Sequence, residues 1–209
     1  EGFERLLDFH CAGPAIRHPY NNLAENAIPA MVRSTMDPIH NAIANAMGYP
    51  PVGTCCCGTL MEWHFSTKGT MSFLVEFATC TNPYAQTAQE LIDTWPGVVE
   101  HLTTPVPMTG HVTSSSGGVP LVASITVSGH EFQDGQTVMS GGRFGRYHLW
   151  GGPGVFDVTF TAEDHLPLTV QVSLAAGQTL NQDVVLQEGN LGTHGVFGAG
   201  CPGSAVQPG

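Results

Sequence analysis

Thr70-Met-Ser-Phe-Leu-Val-Glu-Phe77 is the stretch on which the fold turns. It is apolar on both faces, the pattern of a central strand covered from both sides in an α/β sheet. Glu76 interrupts that pattern. An ionised carboxylate is costly to bury without a purpose, so it is either paired with a cation or raised in pKa for proton transfer. A structural salt bridge or a strand-end position accounts for it equally well.

The flanking sequence extends the α/β pattern. Leu6-Leu-Asp-Phe-His10 is a short apolar run, read as a buried strand end with a loop after it. Asn22 to Met47 carries Ala, Ile, Met and Val at helical spacing, a helix expected to be interrupted before Pro38. Gly48-Tyr-Pro-Pro-Val-Gly53 is a breaker cluster and predicts a loop. Asn82 to Leu102 reads as a helix after Pro83, with Ala88, Leu91, Ile92 and Trp95 as its apolar stripe. Strand, helix, strand and helix make the first half α/β.

The pattern changes near Thr103. From Pro105 to Gln187, β-branched runs such as Ala123-Ser-Ile-Thr-Val and Leu168-Thr-Val-Gln-Val alternate with Gly-rich turns such as Ser140-Gly-Gly and Gly151-Gly-Pro-Gly. That spacing predicts a small antiparallel sandwich. After Gly189 the chain is Gly/Ser/Pro-rich, the composition of a linker. The expected division is therefore 1–104, 105–188 and a tail over 189–209.

Composition narrows the function. At 209 residues and 42% hydrophobic, the chain has material for one or two cored domains. Six Lys+Arg against seventeen Asp+Glu give a net charge of -11, which argues against nucleic acid and against anionic membranes. No apolar run approaches the roughly 20 residues of a bilayer span. The start, Glu1-Gly-Phe-Glu-Arg, is neither an initiator Met nor a signal peptide, so the expectation is a chain that begins within a longer protein. The cysteines (Cys11, Cys55-Cys56-Cys57, Cys80 and Cys201) show no C-x-x-C spacing. The triplet could form a vicinal disulfide, pair with a distant cysteine such as Cys80, or pack as small apolar residues. Low Lys content and the tail composition fit an exported protein, extracellular or periplasmic.

His10 taken singly is by default a satisfied or surface histidine. In combination it gains meaning. Phe9-His10 followed by Arg17-His-Pro19-Tyr20 resembles the third zinc-ligand segment of the zinc carboxypeptidases, the funnelin family. Gly58-Thr-Leu-Met-Glu62-Trp63-His-Phe and then Thr70 to Glu76 resembles that family's Gly-Gly-x-x-Asp-Trp … Phe-Thr-x-Glu segment, with no gap between Trp63 and the glutamate. Gly110-His-Val-Thr, Gly145-Arg-Tyr-His-Leu-Trp and Gly152-Pro-Gly-Val-Phe resemble the transthyretin-like domain that follows the catalytic domain in the regulatory N/E branch.

The resemblance implies a partial carboxypeptidase-type mixed sheet with helices, followed by an all-β transthyretin-like sandwich. It implies His10 as a zinc ligand and Glu76 as the general base. Zinc lowers the pKa of bound water, and the carboxylate takes its proton during attack on a peptide carbonyl. The substrate would be a peptide or protein C-terminus. The family's other two ligands lie in an upstream His-x-x-Glu motif that this chain does not contain. The upstream part of the same domain is therefore required, and the isolated chain is expected to be inactive. Thr54 stands at the position of the substrate-contacting tyrosine, with Tyr49 nearby. Asn21 follows Pro-Tyr where basic-specific members carry an acid, and Met61 falls at the pocket floor, which together imply neutral or apolar C-terminal residues. Met61 as core filler is the competing reading. The alternative for the whole chain is a catalytically inactive binding or scaffold protein whose sandwich binds carbohydrate or protein.

Overall fold

The fold was analysed in a computed structural model that describes residues 3–20, 28–52, 59–78, 80, 83–133 and 135–189. The first sheet has the order β1 (Arg5–Cys11), β4 (Met71–Phe77), β2 (Ala15–Arg17), β3 (Pro51–Val52). β4 lies inside it, parallel to β1 and antiparallel to β2. Met71 to Val75 are all buried, as the two-sided apolar pattern requires. β1 is an edge strand and is half exposed rather than buried. The breaker cluster contains β3, two residues paired with Ile16 and Arg17.

Among the described residues, three helices cover this sheet: α1 (Ala30–Met47), α2 (Leu60–Lys68) and α3 (Tyr84–Thr103). Phe73 faces α1 and α3, where its ring stacks on His40 at 5.6 Å and meets His101 edge-on at 5.5 Å. Its neighbour Ser72 points the opposite way and donates to the Met61 carbonyl of α2 at 2.6 Å. The sheet is thus layered between helices.

Three expectations are corrected. Residues 28 and 29 precede α1 outside the helix, and the helix runs through Pro38 without interruption. The buried face from Met31 to Met47 holds the helix together despite the lost hydrogen bond, since packing outweighs a local propensity penalty of about 3 kcal/mol. α3 forms where expected, but Leu91, Ile92 and Trp95 lie 48, 65 and 59% exposed. The residues it buries are Thr94, Gly97 and His101. Gly97 sets that choice: a Cβ there would stand 2.2 Å from Met47 Cγ and 2.9 Å from the Ile43 carbonyl oxygen, so only glycine lets the helices approach so closely. Finally, Cys80 is bonded to Cys11, with Cα atoms 5.3 Å apart. The Cys55–Cys57 triplet and Cys201 lie outside the described residues.

α2 was hidden in a motif read only for its resemblance. Its start is a side-chain N-cap: the Thr59 hydroxyl accepts from the Glu62 amide at 3.3 Å, three residues on. Gly69, at φ 64, ends the helix in the left-handed conformation.

The second half is all β. One sheet has the order β10 (Leu168–Leu174), β9 (Gly154–Ala162), β6 (Ala123–Val127), β7 (Val138–Met139), antiparallel throughout. In the other, β5 (Met108–Ser114) pairs antiparallel with β8 (Arg146–Leu149) and parallel with β11 (Leu180–Asn181) and β12 (Val184–Leu186). Alternating inward residues of both sheets belong to one core, and Tyr147 meets Phe160 edge-on at 5.2 Å. That core continues into the α/β half. The Trp150 indole donates to the Gly69 carbonyl at 2.9 Å, the Gly152 amide to the Met31 carbonyl at 2.9 Å, and Arg146 is bonded to Glu4. No helix among the described residues is long and apolar enough to cross a membrane.

Candidate functional site

His10 and Glu76 are 66 positions apart in sequence, and the register of the sheet puts them side by side. They are direct partners across the parallel β1–β4 pair, near the carboxyl ends of both strands. Side chains of paired residues in a pleated sheet emerge on the same face. Asp8 lies two residues before His10 and therefore shares that face. Its Oδ2 is 3.1 Å from His10 Nε2. Arg17 reaches the same face from β2, antiparallel to β4, with Nε 3.5 Å from Glu76 Oε1.

The two candidates differ in exposure. The His10 side chain is half exposed, whereas that of Glu76 is 15% exposed. Glu76 Oε2 is buried and has no hydrogen-bond partner among the described residues. A buried acceptor of this kind is a departure from the rule that interior polar atoms are bonded. Chemically, the arrangement offers an accessible imidazole beside a carboxylate with one oxygen held by a cation and the other unengaged.

Neighbouring contacts fix this corner of the sheet. The Cys11–Cys80 bond ties the end of β1 to the chain leaving β4, and Phe9 stacks on Phe77 at 5.5 Å. His40 donates from Nε2 to the Ile16 carbonyl at 2.8 Å, anchoring the strand that carries Arg17. Burial lowers the His40 pKa, which keeps that imidazole neutral as a donor. Burial likewise lowers the pKa of His18, whose ring meets His40 edge-on at 5.1 Å.

The other sequence candidates are dispersed. Met61 is 1% exposed and packed inside α2. Tyr49 is held by α3, its hydroxyl donating to Glu90, and burial together with that carboxylate pushes its pKa up. Asn21 and Thr54 lie outside the described residues. Asp8 and Arg17 were not singled out as site residues from the sequence. The signal for Asp8 was available in its two-residue spacing from His10 on a strand. The Arg17–Glu76 contact depends on β2 turning back antiparallel to β4, which no local pattern announces.

Zinc does not fit the described residues by themselves. A catalytic zinc takes three protein ligands, and no group of three or more His, Cys, Asp or Glu side chains among them is placed to hold a metal ion. His10 supplies one nitrogen, with the Asp8 carboxylate as a close contact.

No family model and no curated protein matches the chain. Among solved structures, the Caf1A usher C-terminal domain is similar at 17% identity and a TM-score of 0.27, over 40% of this chain and 98% of that one. (S)-allantoin synthase is similar at 12% identity and a TM-score of 0.26, over 74% of this chain and 66% of that one. Likenesses this slight assign neither a fold nor a function.

Proposed function

We propose that this chain is the carboxyl-terminal part of a secreted zinc metallocarboxypeptidase, with Glu76 as general base and His10 as one metal ligand, followed by a transthyretin-like β-sandwich. The observation that carries the reading is the register that sets His10 directly beside Glu76. By the resemblance, the remaining zinc ligands belong to an upstream His-x-x-Glu segment. Glu76 then takes a proton from the attacking water as the C–O bond forms, and passes it to the leaving nitrogen as the C–N bond breaks. The Cys11–Cys80 bond supports an oxidising, extracellular or periplasmic location. Asn21 after Pro-Tyr favours neutral or apolar C-terminal residues over Lys and Arg.

The test uses the full-length product. It is expected to bind one zinc per chain and to release C-terminal amino acids from peptides ending in Leu or Phe. Glu76→Gln should lower turnover by roughly 10²–10⁴ while zinc content stays unchanged. Unaltered turnover in that variant refutes the base assignment. A second reading, an inactive binding or scaffold protein, is favoured by the Arg17 guanidinium 3.5 Å from Glu76, the geometry of a structural ion pair. Zinc binding without any peptide hydrolysis, or no zinc at all, selects that reading.

A further inference from the structure

A cavity of about 160 Å³ lies between the two halves of the molecule. α1 contributes Val32, α2 contributes Phe65, and the β half closes it with Ile125, Phe132, Val138 and Trp150. Gly69, the residue that ends α2, also lines it, two positions before β4 begins at Met71. At a strand rise of about 3.3 Å per residue, the five steps from Met71 to Glu76 span roughly 17 Å, so the cavity lies at the opposite end of β4 from Glu76. It is thus separate from the His10–Glu76 corner.

Several polar groups of its wall are engaged within the protein. The Trp150 indole donates to the Gly69 carbonyl. The Glu131 carboxylate accepts from the Gly129 amide at 3.0 Å. The His130 ring lies edge-on to Phe156 at 5.5 Å. Thr137 Oγ1 points to Met139 Sδ at 3.7 Å. A charged ligand would be desolvated there against aliphatic and aromatic walls, at a cost no engaged group offsets. An uncharged ring gains contact without losing hydrogen bonds. Apolar cavities of about 150 Å³ stay dry and hold benzene-sized molecules.

We infer that this inter-half cavity is a binding site for a small, uncharged, single-ring apolar group, carried either by a free molecule or by a peptide side chain. Occupancy bridges both halves, since walls come from α1, α2 and β6 alike.

Trp150 provides the readout because it lines the cavity. The intact chain is titrated with toluene, benzoate and acetyl-phenylalaninamide, following tryptophan fluorescence and the unfolding temperature. Toluene should bind saturably and raise the unfolding temperature, with benzoate at least tenfold weaker. Tighter binding of acetyl-phenylalaninamide than of toluene assigns the site to a peptide side chain, and the reverse ranking assigns it to a free ring. Ile125→Phe and, independently, Val32→Phe fill the space and should weaken toluene at least tenfold in variants whose near-ultraviolet circular dichroism is unchanged. No saturable toluene response in the unaltered chain, benzoate binding as tightly as toluene, or full affinity in both folded filling variants overturns the inference.

Discussion

His101 lies 1% exposed under the first sheet, between Phe73 and Arg5, and neither ring nitrogen meets full hydrogen-bond geometry with a partner among the described residues. Burial, reinforced by the Arg5 charge, lowers its pKa to about 4, although backbone groups of Met71 and Leu6 face the ring. His148 is buried beside Arg146 and is likewise lowered to about 4. The unfolded chain takes up a proton on each imidazole near pH 6.5, whereas the folded chain does so only near pH 4. The unfolded state therefore binds more protons between these values. Stability from these groups is full above about pH 6.5 and is lost as pH falls towards 4, with no further loss below. Each imidazole accounts for on the order of 3 kcal/mol over that window. His101→Phe keeps the ring contact and removes two poorly bonded buried polar atoms, so stability at pH 7 should be equal or higher. Urea unfolding between pH 7 and 4 should show a shallower decline in the variant. An identical pH dependence in both proteins would show that His101 titrates alike in the folded and unfolded chains, against the lowered pKa.

At the scale of elements, the crossing of α1 and α3 is decided by Gly97, against what the hydrophobic pattern suggests. Ala is favoured over Gly by about 1 kcal/mol in a helix interior. Overpacking of a filled interface costs about 1–3 kcal/mol. At Gly97 a Cβ meets a backbone oxygen at 2.9 Å as well as the Met47 side chain, and a backbone atom has little room to yield. Overpacking against backbone wins, so Gly97→Ala should lower the urea midpoint by an amount equivalent to up to about 2 kcal/mol. A midpoint equal to or above that of the unaltered chain would mean that α3 shifts freely along α1. The same crossing explains the limit of pattern reading. Two-sided apolarity identified β4, because burial on both faces leaves a sequence mark. The helical period of α3 was also visible, but which face turns inward was fixed by a glycine notch and not by its Leu91, Ile92 and Trp95 stripe. For the site, His10 and Glu76 could be named in advance through resemblance, and Asp8 follows from strand alternation. Arg17 could not, since its contact depends on the antiparallel return of β2.

For the molecule as a whole, the two halves that composition separates near Thr103 are joined by one continuous core. Gly69 is a point of close approach in that joint, where the neighbour is backbone. It adopts φ 64, and a Cβ there would stand 2.1 Å from the His148 carbonyl oxygen and 2.9 Å from Val138. Its own carbonyl accepts the Trp150 indole hydrogen bond. A side chain at this position must therefore both adopt a left-handed backbone and push β8 away from α2. The left-handed conformation costs an alanine about 1 kcal/mol, and the clash with backbone adds roughly 1–3 kcal/mol. Because the displaced atoms belong to the other half, the loss falls on the coupling between halves as well as on local packing. The unaltered chain, with its shared core, should unfold in one calorimetric transition. Gly69→Ala should lower that temperature and broaden or split the transition, as the α/β and β parts begin to unfold separately. The Arg146–Glu4 contact is half exposed and is too weak to hold them together on its own. A single sharp transition at an unchanged temperature in Gly69→Ala would rule out this joint as the source of cooperativity.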